Sequence, residues 1–194
     1  MTALRTRLFA AALFALVLPA AALAQGRFDP EAALTAQREA MTKLAMLDGE
    51  WRGTAWTITP AGEKHTVTQT ERVGAMLGGS VRVIEGRGYE ADGRVGFNAF
   101  AVISYQPDTK SYSMRSYASG RSGDFTVTPT ADGFTWDIPA GPMTIRHTAT
   151  IKDGKWREVG DRILPGKEPV RFLEMNLERI GDSAWPAGGA VPQK

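Results

Sequence analysis

Between Gly49 and Ile180 turn signals interrupt the chain at short intervals, and that spacing constrains the fold more than any other feature. Between the breaks, apolar and polar residues alternate with a period of two, the pattern of a strand with one buried face. Ten such runs can be read, at 50–59, 65–73, 80–89, 95–105, 110–118, 124–128, 134–138, 143–151, 155–164 and 170–180. Glycine and proline mark the breaks, and Asp-Gly stands at 92–93, 132–133 and 153–154. Asp-Gly between alternating runs is a strong hairpin signal. Connections this short pair neighbouring strands and give an antiparallel up-and-down meander. Such a sheet must cover its edges, and closure into a barrel does so. The expected fold is all-β, an antiparallel up-and-down β-barrel of about ten strands, with a sandwich as the alternative.

One α-helix is expected before the strands. Asp29-Pro30-Glu31 reads as an N-cap, a first-turn proline and an acid at the positive end of the dipole. Good helix formers fill 30–47, with Leu34, Met41 and Leu44 on one stripe and Gly49 as the stop. Residues 1–24 read as an export signal: Arg5 and Arg7, an apolar run from Leu8 to Leu18, then Ala22-Leu23-Ala24 for cleavage. That run is too short to span a bilayer comfortably. The expected division is a signal peptide at 1–24, the helical segment at 25–48, the barrel at 49–180 and a loosely packed tail at 181–194. A periplasmic or secreted location follows, with no membrane association after cleavage.

Removing 1–24 takes two arginines and no acid from a chain of 23 basic and 21 acidic residues, which leaves formal neutrality. A basic-patch case for nucleic acid therefore has little support. With no cysteine there is no disulfide and no lipid anchor on a thiol.

The stretch Leu47-x-Gly49-x-Trp51-x-Gly53, just after the helical lead-in, resembles the lipocalin-type entry of the calycin superfamily. Together with Arg171-Phe172-Leu173-Glu174-Met175-Asn176-Leu177-Glu178-Arg179, it is similar to a bacterial family known as domain of unknown function 1579. It also resembles the nitrobindin-like barrels. The resemblance implies that Trp51 plugs the closed end of the barrel, with Arg179 of the last strand across it by cation–π stacking. Flanking glycines suit close backbone approach at a barrel corner. Nitrobindin-like barrels place their haem histidine in the final strand, and the run 170–180 has none. Haem is therefore not expected as a cofactor.

Several polar residues alternate in phase with apolar ones and become candidate lumen groups. Val67 shares a face with Gln69 and Glu71, and Val81 and Val83 share one with Glu85 and Arg87. Trp156 shares a face with Glu158, Phe172 with Glu174, and His147 with Met143, Ile145 and Ala149. Tyr112 is the aromatic candidate for the same lining. Glu85 with Glu158, or Glu158 with Glu174, would form an acid–base pair on meeting across the lumen. His65 begins its strand and is expected to face solvent. Two isolated histidines make no zinc site, and no nucleophile motif is present. No catalytic residue is assigned. The expected activity is binding of a small, partly apolar molecule, with a calycin-type enzyme or an interaction module with a filled core as alternatives. The export reading predicts that the mature protein starts at Gln25, and N-terminal sequencing of the exported protein checks it. A chain still beginning at Met1 would refute it.

Overall fold

The computed structural model describes residues 28–186, so the stretch 1–24 read as an export signal lies outside the described residues. Helix α1 (Pro30–Met41) tightens into a 3-10 helix over Thr42–Leu47. Ten strands follow: β1 (Gly49–Ile58), β2 (Lys64–Met76), β3 (Val81–Tyr89), β4 (Val95–Gln106), β5 (Ser111–Ala118), β6 (Arg121–Thr130), β7 (Gly133–Ala140), β8 (Met143–Lys152), β9 (Lys155–Ile163) and β10 (Val170–Gly181). Each pairs antiparallel with the next, and β10 pairs with β1 to close the barrel. Among the described residues no helix is long and apolar enough to cross a membrane.

The helix starts as its sequence implies. Asp29 Oδ1 accepts from the Glu31 and Ala32 amides, and Pro30 fills the first turn, where no donor is needed. It does not run α-helical to Leu47. The Thr42 hydroxyl donates to the Glu39 carbonyl at 2.6 Å, competing with the ladder, and the chain narrows there. The tighter turns carry Leu44 and Leu47 into the barrel end, where both are fully buried with Met41 and Trp51.

This closed end is held by polar side chains as well as by packing. Carbonyls at the ends of α1 and of the 3-10 helix can accept more than their local backbone bonds; the Ala40 carbonyl already takes the Thr42 amide. Barrel side chains add further donors. Arg82 donates to the Met41 carbonyl, Tyr112 Oη to Ala40 at 2.8 Å and Trp51 Nε1 to Leu47 at 2.9 Å. Arg82 also grips both Asp48 oxygens, at 3.0 and 3.1 Å. Trp51 meets Trp156 edge to face, with ring centroids 5.7 Å apart.

Arg179 departs from the expected stacking. Its guanidinium lies against Gly49 and donates to the Asp48 carbonyl and to Asp182. A Cβ at Gly49 would stand 2.8 Å from Arg179 Nε, so the glycine makes room for the guanidinium beside the backbone rather than over the indole. No cation–π contact joins Arg179 to Trp51 among the described residues.

The start of the tail is packed, unlike the loose segment expected. A Cβ at Gly74 would overlap the Trp185 carbonyl, Arg72 stacks on the Trp185 ring at 4.7 Å and Phe100 meets that ring edge-on. Val83, paired with Gly74 on the outer wall, is only 3% exposed.

These contacts predict that Trp51→Ala destabilises by about 3–5 kcal/mol, the range for deleting a buried aromatic. Arg82→Met should cost about 3 kcal/mol, the low end for breaking a buried pair, because Asp48 keeps some contact with water. Arg179→Ala should cost less than about 1 kcal/mol, as for a solvent-exposed pair. Urea unfolding checks all three. Coupling of Trp51 to Arg179 stronger than to Trp156 in double-mutant cycles would contradict this arrangement.

Candidate functional site

Register decides which candidates share the lumen. Glu71 pairs with Trp51 and Gly86, and Gln69 with Gly53 and Gly88. His147 lies between Trp136 and Gly160, and Glu158 between Ala149 and Met175. All four side chains are in phase with the buried core positions Trp51, Val73, Ala149 and Leu177, so all four point inward.

Room for them comes from residues with no side chain. A Cβ at Gly86 would stand 2.7 Å from Glu71 Oε1, and one at Gly88 would stand 3.2 Å from Gln69 Oε1. Gln69 Nε2 donates to Glu71 Oε1 at 2.8 Å. Burial pushes the Glu71 carboxyl up to about 8; the Gln69 hydrogen bond opposes this, and the charges of Glu158 and Glu85 reinforce it. Glu71 is therefore a neutral acid for most of the time at pH 7, with a proton to donate.

His147 Nδ1 lies 3.3 Å from Glu158 Oε1, a close ion-pair approach in which the two atoms are not aligned as a hydrogen bond. The imidazole stacks on Trp136, with centroids 4.2 Å apart and planes 14° from parallel. Phe125 flanks Trp136 at 5.1 Å, Phe172 meets His147 edge-on at 6.1 Å and the Arg162 guanidinium lies 4.8 Å above Phe172. An aromatic wall thus runs across β6, β7, β8 and β10. Two buried polar atoms in this interior, His147 Nδ1 and Trp156 Nε1, have no hydrogen-bond partner among the described residues. Nearer the other end, the inward residues Ala55, Val67, Gly123, Ile138 and Ile145 are only half-buried, so water enters the lumen there.

Four candidates lie elsewhere. Glu85 and Arg87 are on the outer wall, where Arg72 and Arg87 bind Glu85 at 2.8 and 2.6 Å. Burial alone would raise the Glu85 carboxyl, but the two guanidiniums outweigh it and hold that carboxyl low. Their alternation with Val81 and Val83 points inward by sequence, but register puts Val83 on the outer wall, paired with Gly74, which the tail at Trp185 contacts. Glu174 is also outside, in ion pairs with Arg157 and Arg171. Phe172 and Glu174 part company because the ladder slips between Arg171 and Leu173, a bulge that turns Phe172 inward. Neither proposed acid–base pair forms; the carboxyls that share the lumen are Glu71 and Glu158. Tyr112 faces inward but is committed to the helix at the closed end. His65 is at the strand start with its ring toward Glu90.

Arg82, Trp136 and Arg162 are interior groups that the sequence reading does not single out. Trp136 alternates with Phe134 and Ile138, a pattern that could have placed it; Arg82 between two valines carried no such signal. Two recesses, of about 470 and 230 Å³, include outer-wall residues, and the smaller also borders Trp51 and Glu71. Both are lined by Glu85 and Arg87, whose charges already satisfy each other.

The barrel has known counterparts. It is similar to the crystal structure of Rv2717c from M. tuberculosis, with a TM-score of 0.55 at 14% identity over 73% of this chain and 97% of that one. It is also similar to the S-type phycobiliprotein lyase CpeS from Guillardia theta, with a TM-score of 0.50 at 10% identity over 77% of this chain and 98% of that one. The fold is calycin-like. No protein-family model and no curated protein matches the chain in sequence.

The raised Glu71 carboxyl carries a stability consequence. The folded state holds this proton up to about pH 8, whereas the unfolded chain releases it near the ordinary value of 4.5. Between those values the folded state binds more protons, so its stability falls as pH rises, by on the order of 1 kcal/mol per pH unit for one proton. Glu71→Gln should remove that part of the slope and be the more stable protein at pH 8. Urea unfolding of both proteins from pH 5 to 8 checks it; parallel pH profiles would contradict the placement of Glu71.

Proposed function

We propose that this chain is an exported binder of one small, partly apolar molecule, which it holds in the lumen without changing it. The observation that carries this reading is the convergence of Gln69, Glu71, His147 and Glu158 inside an aromatic-walled barrel with a wet mouth. Ligand sites commonly combine apolar walls with a few converging polar groups. The lyase-type neighbour supports, by fold alone, a lumen that takes a small molecule. The Leu47–Gly53 entry and the strand at 171–179 support membership of family 1579. Haem is no part of this proposal, because β10 carries no histidine.

A second reading has its own support. A carboxyl raised to about 8 beside a second carboxyl is the arrangement of a general acid with a partner base. On that reading Glu71 donates the proton and Glu158, oriented by His147, receives one.

Native mass spectrometry of the protein spanning 25–194, purified from its producing cell, distinguishes these. One uniform adduct, lost in the lumen-filling variant Ala55→Trp, is expected. Turnover of that molecule into a product of different mass, abolished by Glu71→Gln, would favour the enzyme. A protein that carries no adduct and excludes neutral aromatic dyes would have a filled core.

A further inference from the structure

The chain continues past the point where the barrel closes. Strand β10 ends at Gly181, paired with Glu50 of β1, and the residues that follow lie on the outside of the wall. Arg179 holds the first of them by donating to Asp182. Ser183 Oγ accepts from the Trp185 amide at 3.2 Å, a local bond that fixes the short stretch between them. Exposure alternates along it: Asp182 and Ala184 are exposed, Ser183 and Trp185 half-buried. The stretch 182–186 therefore keeps one face on the barrel.

The wall has a seat for this stretch. A Cβ at Gly74 of β2 would stand 1.7 Å from the Trp185 carbonyl oxygen and 3.0 Å from Pro186 Cδ, so backbone lies on backbone where only glycine allows it. The Arg72 guanidinium of β2 lies over the Trp185 ring at 4.7 Å, and Phe100 of β4 meets that ring edge-on at 6.4 Å. Arg72 is in turn bound to Glu85 of β3 at 2.8 Å. A segment continuous with β10 thus grips β2, β3 and β4, on the far side of β1. The seam it spans is irregular at the same end. The β1–β10 ladder shifts between Glu50 and Trp51, which leaves Ile180 without a partner on β1 and 50% exposed. Local opening starts at such strand ends.

We propose that residues 182–186 are an external latch: they hold the closed end of the β1–β10 seam, and that end opens only when Trp185 leaves its seat. The latch is held by one half-buried ring and a short run of backbone on a surface open to water, contacts of the kind that part before the core does. Opening there uncovers Trp51, which stands on the seam, and Glu71, its register partner on β2. Trp185 therefore decides how readily water reaches the floor of the lumen from the sealed end, whatever the lumen holds.

The test is native-state amide hydrogen exchange, read residue by residue by NMR on the protein spanning 25–194. Trp185→Ala should speed exchange at the seam amides of 50–54 and 176–181 by roughly tenfold, and leave the β5–β6 and β7–β8 ladders unchanged. Gly74→Ala keeps the ring but fills the seat, and should give the same pattern. The two effects should not multiply in the double variant, because either change empties one seat. Unchanged seam exchange in Trp185→Ala would overturn the latch. So would an equal increase in every ladder, the mark of a contact that adds only global stability, or effects that multiply in the double variant. Should Gly74→Ala fail to fold, Trp185→Ala decides alone.

Discussion

Side-chain donors that reach the carbonyls at the helix ends govern one whole end of this barrel. Ala40, Met41 and Leu47 expose carbonyl oxygens where α1 and the 3-10 helix run out, and they do so in a buried place. A buried side-chain donor left unpaired there would cost about 1–3 kcal/mol. Tyr112, Arg82 and Trp51 donate to these carbonyls from three different strands. Each donor also has a large apolar or stacked body, so the contacts that satisfy the backbone also fill the barrel end. The helix is thereby a fixed floor, and the height of the lumen above it is set by Trp51 and Trp156.

Much of this was legible in the sequence. Short turns with Asp-Gly fixed neighbour pairing, and ten alternating runs gave ten strands because nothing but closure covers a meander's edges. The inward placement of Gln69, Glu71, His147 and Glu158 followed from strict alternation with buried neighbours. Alternation misled where another element broke its premise. It assumes that an apolar face is an inner face, and Val83 is apolar and buried outside, next to Gly74, which the tail contacts. It assumes an unbroken ladder, and the slip at Arg171–Leu173 separates Phe172 from Glu174. Arg82 carried no signal because its partners, Asp48 and the Met41 carbonyl, belong to the helical floor some 40 residues upstream.

The charges sort themselves between two environments. On the outer wall, acids and arginines pair across strands: Glu85 with Arg72 and Arg87, Asp137 with Arg146, Asp161 with Arg171, Glu174 with Arg157. Each such pair contributes little in water, and together they keep the wall polar. Inside, the buried Glu71 carboxyl has a neutral amide, Gln69, where the outer acids have guanidiniums. Glu71 answers that difference by keeping its proton, and its cradle is made by Gly86, which leaves the carboxyl in contact with backbone where any larger residue would push it aside.

Closure of β1 on β10 bears on the order in which the molecule can be built. Thr57 pairs with Leu173, so the seam joins residues from opposite ends of the barrel sequence. Strands β2 to β9 can zip as successive hairpins while the chain is being made, but β1 keeps one row of backbone donors and acceptors open until β10 arrives. That makes the last joint a high-contact-order step with an exposed edge until it forms. Trp51 stands on this seam, opposite Arg179, so the plug and the final strand pairing are completed in the same event.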